Sequence, residues 1–149
     1  MEKSHALKLL AYDYWANCRL FSAINESSKS IPAEIEDVFS HLLGAKSIWH
    51  KRIIGEEAAK DLFNRKDLRT LIENNEQLKS NWESLLEKYM TTSNVTYHNL
   101  SGEKAQSSLA DILTHVVNHG SYHRGQAIRI LREAGITPLA NDYIVFCRQ

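Results

Sequence analysis

Apolar residues recur in four blocks with the three-to-four spacing of amphipathic helices, and polar stretches separate the blocks. In the first, Leu7, Leu10, Ala11, Tyr14, Cys18 and Phe21 share one stripe, which the run NESSKS ends. The second opens near Pro32, a residue suited to a first turn because its missing N–H has no helical partner there. Its stripe is Ile35, Val38, Phe39, Leu42, Trp49 and Ile53, with Gly55 as the stop. The third starts at Asp67 as N-cap and carries Leu68, Leu71, Ile72, Leu78, Trp82, Leu85, Leu86 and Tyr89. The fourth starts at SSLAD, where Ser108 and Asp111 have capping-box spacing, and ends at Gly135 with Pro138 beyond it. Between the last two, TTSNVTYHNLSGEKAQ is too long for a plain connector, and a short strand is expected at Val95 to His98. With no convincing sheet, the pattern predicts an all-α fold, a four-helix bundle. Periodicity leaves the packing order of the helices open.

Composition narrows the class. A chain of 149 residues suits one domain, 1–149, and its 43% hydrophobic content with few Gly and Pro suits a packed helical core. Eighteen basic residues balance eighteen acidic ones, so no net field gathers phosphates, and no nucleic-acid partner is expected. Cys18 and Cys147 lack the spacing of a disulfide framework or a redox pair, which points to a reducing cytoplasm. No apolar run is long enough for a signal peptide or a membrane span, so no membrane partner is expected. Trp15, Trp49 and Trp82 are expected in the core, and Cys147 as a small packed residue.

Chemistry enters with HVVNHGSYHRGQ, which holds His115, His119 and His123 at four-residue intervals. Adjacent members of such a series lie about 6 Å apart along a helix and about 40° apart around it, so two can meet one ion. His115 and His123 are about 12 Å and about 80° apart, so all three cannot. The apolar stripe of this helix decides the pair: His123 lies about 40° from its centre, His119 about 80° and His115 about 120°. A helical histidine is ordinarily exposed or hydrogen-bonded to a neighbour. Two that face a core each need a polar partner, and one shared cation satisfies both. A further ligand must come from another helix. His41 and His50 flank the second stripe and periodicity does not separate them: His41 has Gly44 and Ala45 one turn on, which would leave room beside it for a site, whereas His50 adjoins Lys51 and Arg52, as on a solvated face. His5 and His98 are weaker candidates, both expected to be exposed. Three histidines without a fourth side chain are the catalytic pattern, which keeps a position open for water or substrate. The general base of an H-E-x-x-H site is absent, since that position is Gly120.

The segment NHGSYHRGQ, Asn118 to Gln126, resembles the signature of the DinB/YfiT-like family of metal-dependent enzymes. YDYWAN (Tyr12 to Asn17), HLLGAKSIWHKRIIG (His41 to Gly55) and PLANDYIVF (Pro138 to Phe146) follow the family's order, so the likeness spans nearly the whole chain. The resemblance implies a four-helix bundle of DinB/YfiT-like type whose divalent metal, zinc or nickel, is held by His41, His119 and His123. It is the resemblance that selects His41 over His50. It further implies a metalloenzyme acting on a small-molecule substrate, either a low-molecular-weight-thiol-dependent S-transferase or a hydrolase, and a homodimer paired through an exposed helix face. The alternative is a non-catalytic stress-response or interaction protein with a structural metal. No acid or base is assigned. Asn118 and Arg124 lie off the stripe and are expected at a dimer contact, the bundle surface or the substrate, and Tyr122 and Gln126 carry no role.

Overall fold

The computed structural model describes residues 1–149 except Ala58, Lys60 and Leu100. Two of its long helices start where a side chain accepts a bond from a backbone N–H of the first turn. Asp67 accepts from Thr70 N at 2.8 Å and Ser108 Oγ from Asp111 N at 3.1 Å, each cap contributing about 1 kcal/mol. Two end next to glycines in the left-handed region, Gly55 and Gly135, both with φ of 75°. The four long helices are α1 (Lys3–Asn25), α2 (Ala33–Ile54), α3 (Leu68–Lys88) and α4 (Leu109–Glu133), and a short α5 (Tyr143–Phe146) closes the chain. The protein is thus mostly helical, as the apolar pattern predicts.

Helix α2 packs on α3 and α4, and α1 packs on the same two. Leu20, Phe39, Leu71, Trp82, Leu113 and Leu131 are wholly buried where they meet. The buried face of α1 is rotated from the expected stripe. Leu10 and Phe21 are buried as expected, but Leu7, Ala11, Tyr14 and Cys18 are only half-buried, while Asp13, Ala16 and Asn17 lie inside. The apolar pattern missed this because two core positions of α1 are polar. No helix is long and apolar enough to cross a membrane.

The segment between α3 and α4 forms a hairpin, β1 (Asn94–His98) paired antiparallel with β2 (Lys104–Ser108), Val95 opposite Ser107 and Tyr97 opposite Ala105. The first strand was expected and the second was not. KAQSS has no alternating apolar pattern; it becomes a strand because β1 offers it a ladder. In the turn, Asn99 Oδ1 accepts from the N–H groups of Ser101 and Glu103, both at 2.9 Å, and Gly102 takes φ of 80°. The hairpin leans on α2 and sets the Tyr97 ring 4.9 Å from Trp49. At the other end, Tyr143 and Phe146 of α5 pack on Tyr12, and Phe146 also on Trp15. Of the three tryptophans only Trp82 is fully buried; Trp15 and Trp49 are half-buried, each with an arginine over its ring.

Candidate metal centre

Because α2 lies against α4, His41 of one meets His119 and His123 of the other. One ring nitrogen from each lies within 4.8 Å of the other two, and the two Nε2 atoms of His119 and His123 are 3.1 Å apart. Metal–imidazole bonds of about 2.0–2.1 Å in a tetrahedral shell place neighbouring nitrogens about 3.3 Å apart. The His119–His123 separation is close to that spacing, and with His41 the cluster is a group of three donors able to hold a metal ion. His123 Nδ1 is 2.7 Å from Gln126 Oε1. With Nδ1–H donating to that amide oxygen, the Nε2 lone pair faces the cluster. Gln126 thus has a partner that the sequence did not assign.

Two of the three imidazoles are held toward the neutral form. Burial first, then the nearby His123, His41 and His115, push the His119 pKa down to about 4, with Asp13 pulling weakly the other way. Burial and His123 also lower that of His41. Crowded imidazoles cannot all carry protons, and neutral imidazole is the form that ligates.

Above the trio lies an open cleft of about 480 Å³ between α2, the hairpin and the first turns of α4. His41 and His119 form one end of it, with Trp49, Tyr97 and Arg52 along its wall. Phe63 stacks on His41, rings 5.0 Å apart and 21° from parallel. The connector after α2 holds Phe63 there: Arg65 Nε donates to Asp37 at 2.6 Å and Lys66 N to Ser40 Oγ at 2.9 Å. Gly44 was expected to leave room beside His41. Instead its missing side chain admits the connector, since a Cβ would sit 2.6 Å from the Leu62 carbonyl oxygen. A more enclosed cavity of about 220 Å³ lies between α2 and α3, lined by Ser40, Asn74 and Asn81 among others, and none of the seven histidines faces it.

Behind the histidines is a buried polar cluster. Asp13 receives Lys46 Nζ at 2.8 Å and Arg124 Nη1 at 2.6 Å, with all three side chains 3% exposed or less. Arg124 Nη1 also donates to Asn17 Oδ1, and Asn17 Nδ2 to Asn75 Oδ1 at 2.9 Å, so the chain of bonds touches all four long helices. This corrects the expectation for Arg124, which is neither at the surface nor at a dimer contact. Its guanidinium turns inward because Asp13 offers it a charge partner there. Gly120 makes the room: a Cβ would lie 2.4 Å from Asp13 Oδ1 and 2.9 Å from Arg124 Nη1. One signal was readable, since Asp13 and Asn17 are spaced i, i+4 like the apolar residues of α1.

The other candidates fall outside the trio. His115 is exposed on the cleft wall, its ring 5.5 Å from Trp49. His50 is half-buried against Trp82 rather than solvated, and burial lowers its pKa. His5, His98, Asn118 and Tyr122 are exposed, and Cys147 is half-buried with a free thiol.

The sequence profile of the DinB family matches residues 1–149. The protein DinB of Bacillus subtilis (strain 168) is 30% identical over 159 aligned residues, covering 93% of this chain and 91% of that protein. With a match over its full length and a histidine cluster suited to a metal, the chain belongs to the DinB family.

Proposed function

We propose that this is a divalent-metal enzyme in which His41, His119 and His123 hold zinc or nickel and the adjoining cleft receives a small molecule. The four long helices act as a single four-helix-bundle domain that supplies the rigid frame. The reaction class is thiol-dependent S-transfer or hydrolysis, in the cytoplasm, a setting that the free cysteines Cys18 and Cys147 suit.

The observation that carries this reading is the convergence of three imidazole nitrogens from two helices at the end of an open cleft. A divalent cation there supplies positive charge that favours the thiolate of an incoming thiol, or hydroxide over water, at neutral pH. The protein's own contribution is position. Gln126 orients His123, Phe63 shields one face of His41, and Trp49 and Tyr97 give an apolar wall that excludes water from part of the cleft.

Elemental analysis of protein prepared without an affinity tag tests the centre. The expectation is about one equivalent of metal per chain, lost in the His119→Ala, His123→Ala double variant. Protein that binds no divalent metal when offered it would end the reading. For the transferase version, adding a thiol to the cobalt-substituted protein is expected to change its visible spectrum. Chelation separates an enzyme from a structural site: an enzyme loses turnover and stays folded, while a structural site melts.

A further inference from the structure

On α2, the cleft is lined by His41, Ala45, Ile48 and Arg52, at i, i+4, i+7 and i+11, together with Trp49. Eleven residues turn a helix through three full turns and about 20° more, so Arg52 shares the face of His41, about 16 Å along the axis. Helical side chains lean toward the N-terminus, so Arg52 reaches back over Trp49 while His41 leans the same way.

The Arg52 guanidinium lies 4.7 Å from the Trp49 ring centroid and 5.2 Å from that of Tyr97. Stacking of this kind occupies the flat face of the group and leaves its N–H edge free. Among the described residues no side chain or carbonyl accepts from that edge, and no acidic side chain lines the cleft. The neighbouring Lys51 is committed to Glu56 at 3.0 Å, and Glu103 on the hairpin turn is held by Asn99 Nδ2 at 2.9 Å. Among the described residues Arg52 is the one permanent cation lining the cleft, and it balances a single negative charge. Carboxylate is a monoanion whose two oxygens match the guanidinium fork.

We propose that the cleft binds an extended organic carboxylate, its anionic end paired with Arg52 between Trp49 and Tyr97 and its other end at His41 and His119. Arg52 is therefore a specificity residue that selects substrates by a charge remote from the reacting end. Only the far end of this assignment rests on the metal-centre reading. The aromatic wall suits an apolar stem between the two ends.

Calorimetric titration of the metal-free protein with phenylbutyrate and with phenylbutanol tests the anionic end alone. Wild-type protein is expected to favour the carboxylate by about tenfold, the lower range for a charge-assisted bond. Arg52→Met, which keeps a long apolar stem against Trp49, is expected to abolish that preference, and Arg52→Lys to restore part of it. Equal affinity for acid and alcohol in the wild type, or a preference that survives in Arg52→Met, overturns the proposal. A second titration uses zinc-loaded protein with mercaptohexanoate and mercaptohexanol. Zinc is expected to tighten both, with the acid still ahead. If zinc tightens neither, the metal-centre reading fails while the phenylbutyrate result still decides Arg52. If zinc tightens both but Arg52→Met leaves their ratio unchanged, the centre stands and this proposal falls.

Discussion

Arg124 Nη1 lies 2.6 Å from Asp13 Oδ1, a contact across 111 residues with both side chains 2% exposed or less. Arg124 directly follows His123, and a helix turns about 100° per residue. Anchoring the arginine inward therefore turns the histidine away from Asp13 and toward His41. The same relation holds one turn earlier, where Gly120 faces Asp13 and His119 faces His41. A buried ion pair thus sets the rotation of α4 that brings His119 and His123 to His41.

Asp13 faces two buried cations, so its removal is expected to cost more than removal of either partner. Asp13→Asn leaves Lys46 and Arg124 without a countercharge and should destabilise the fold by about 3–5 kcal/mol. Lys46→Met leaves Asp13 paired with Arg124, and about 1–3 kcal/mol is expected. Urea denaturation of both variants measures the difference. Equal losses would show that the carboxylate is not the hub.

The same carboxylate predicts an acid limb of stability. Burial pushes its pKa up, but the charges and hydrogen bonds of Lys46 and Arg124 together outweigh burial and hold it below 3.8. The unfolded chain then binds the proton more readily than the folded one. Its contribution is fully present above the unfolded value and is lost as pH falls through the lower, folded one. Melting temperature followed from about pH 6 down to about pH 2 should drop more steeply in the wild type than in Asp13→Asn. Parallel curves would assign the acid limb to other groups.

Gly120→Ala sets propensity against packing. Alanine improves a helix interior by about 1 kcal/mol, yet here its Cβ meets Asp13 Oδ1, which Arg124 holds, on a carboxylate whose other oxygen Lys46 holds. A net loss of about 1–3 kcal/mol is expected, together with weakened metal binding as α4 shifts. A stabilised variant would mean that the polar cluster yields easily.

Gln126→Ala removes the acceptor of His123 Nδ1 without disturbing the core. Metal affinity is expected to fall about 10- to 100-fold, while unfolding of the metal-free protein stays nearly unchanged. Competition with a chromophoric chelator reads the first quantity and thermal melting the second. Gln126→Glu, which keeps an acceptor, should retain most of the affinity. An unaltered affinity in Gln126→Ala would remove Gln126 from the site.

What the sequence by itself determined is what local periodicity and local bonds control. The caps at Asp67 and Ser108, the stops at Gly55 and Gly135, the strand at Val95 to His98 and the proximity of His119 to His123 all depend on neighbours a few residues away. Family resemblance, rather than spacing, separated His41 from His50, because both flank the same stripe. Tertiary structure alone decided the rest. Asp13, Lys46 and Arg124 look like surface residues until three helices bring their charges together, since burying a charge is favourable only beside its partner. Likewise the cleft exists only once the hairpin carries Tyr97 to Trp49 and the connector carries Phe63 to His41. Those contacts join segments distant in sequence, and no pattern along one helix encodes them.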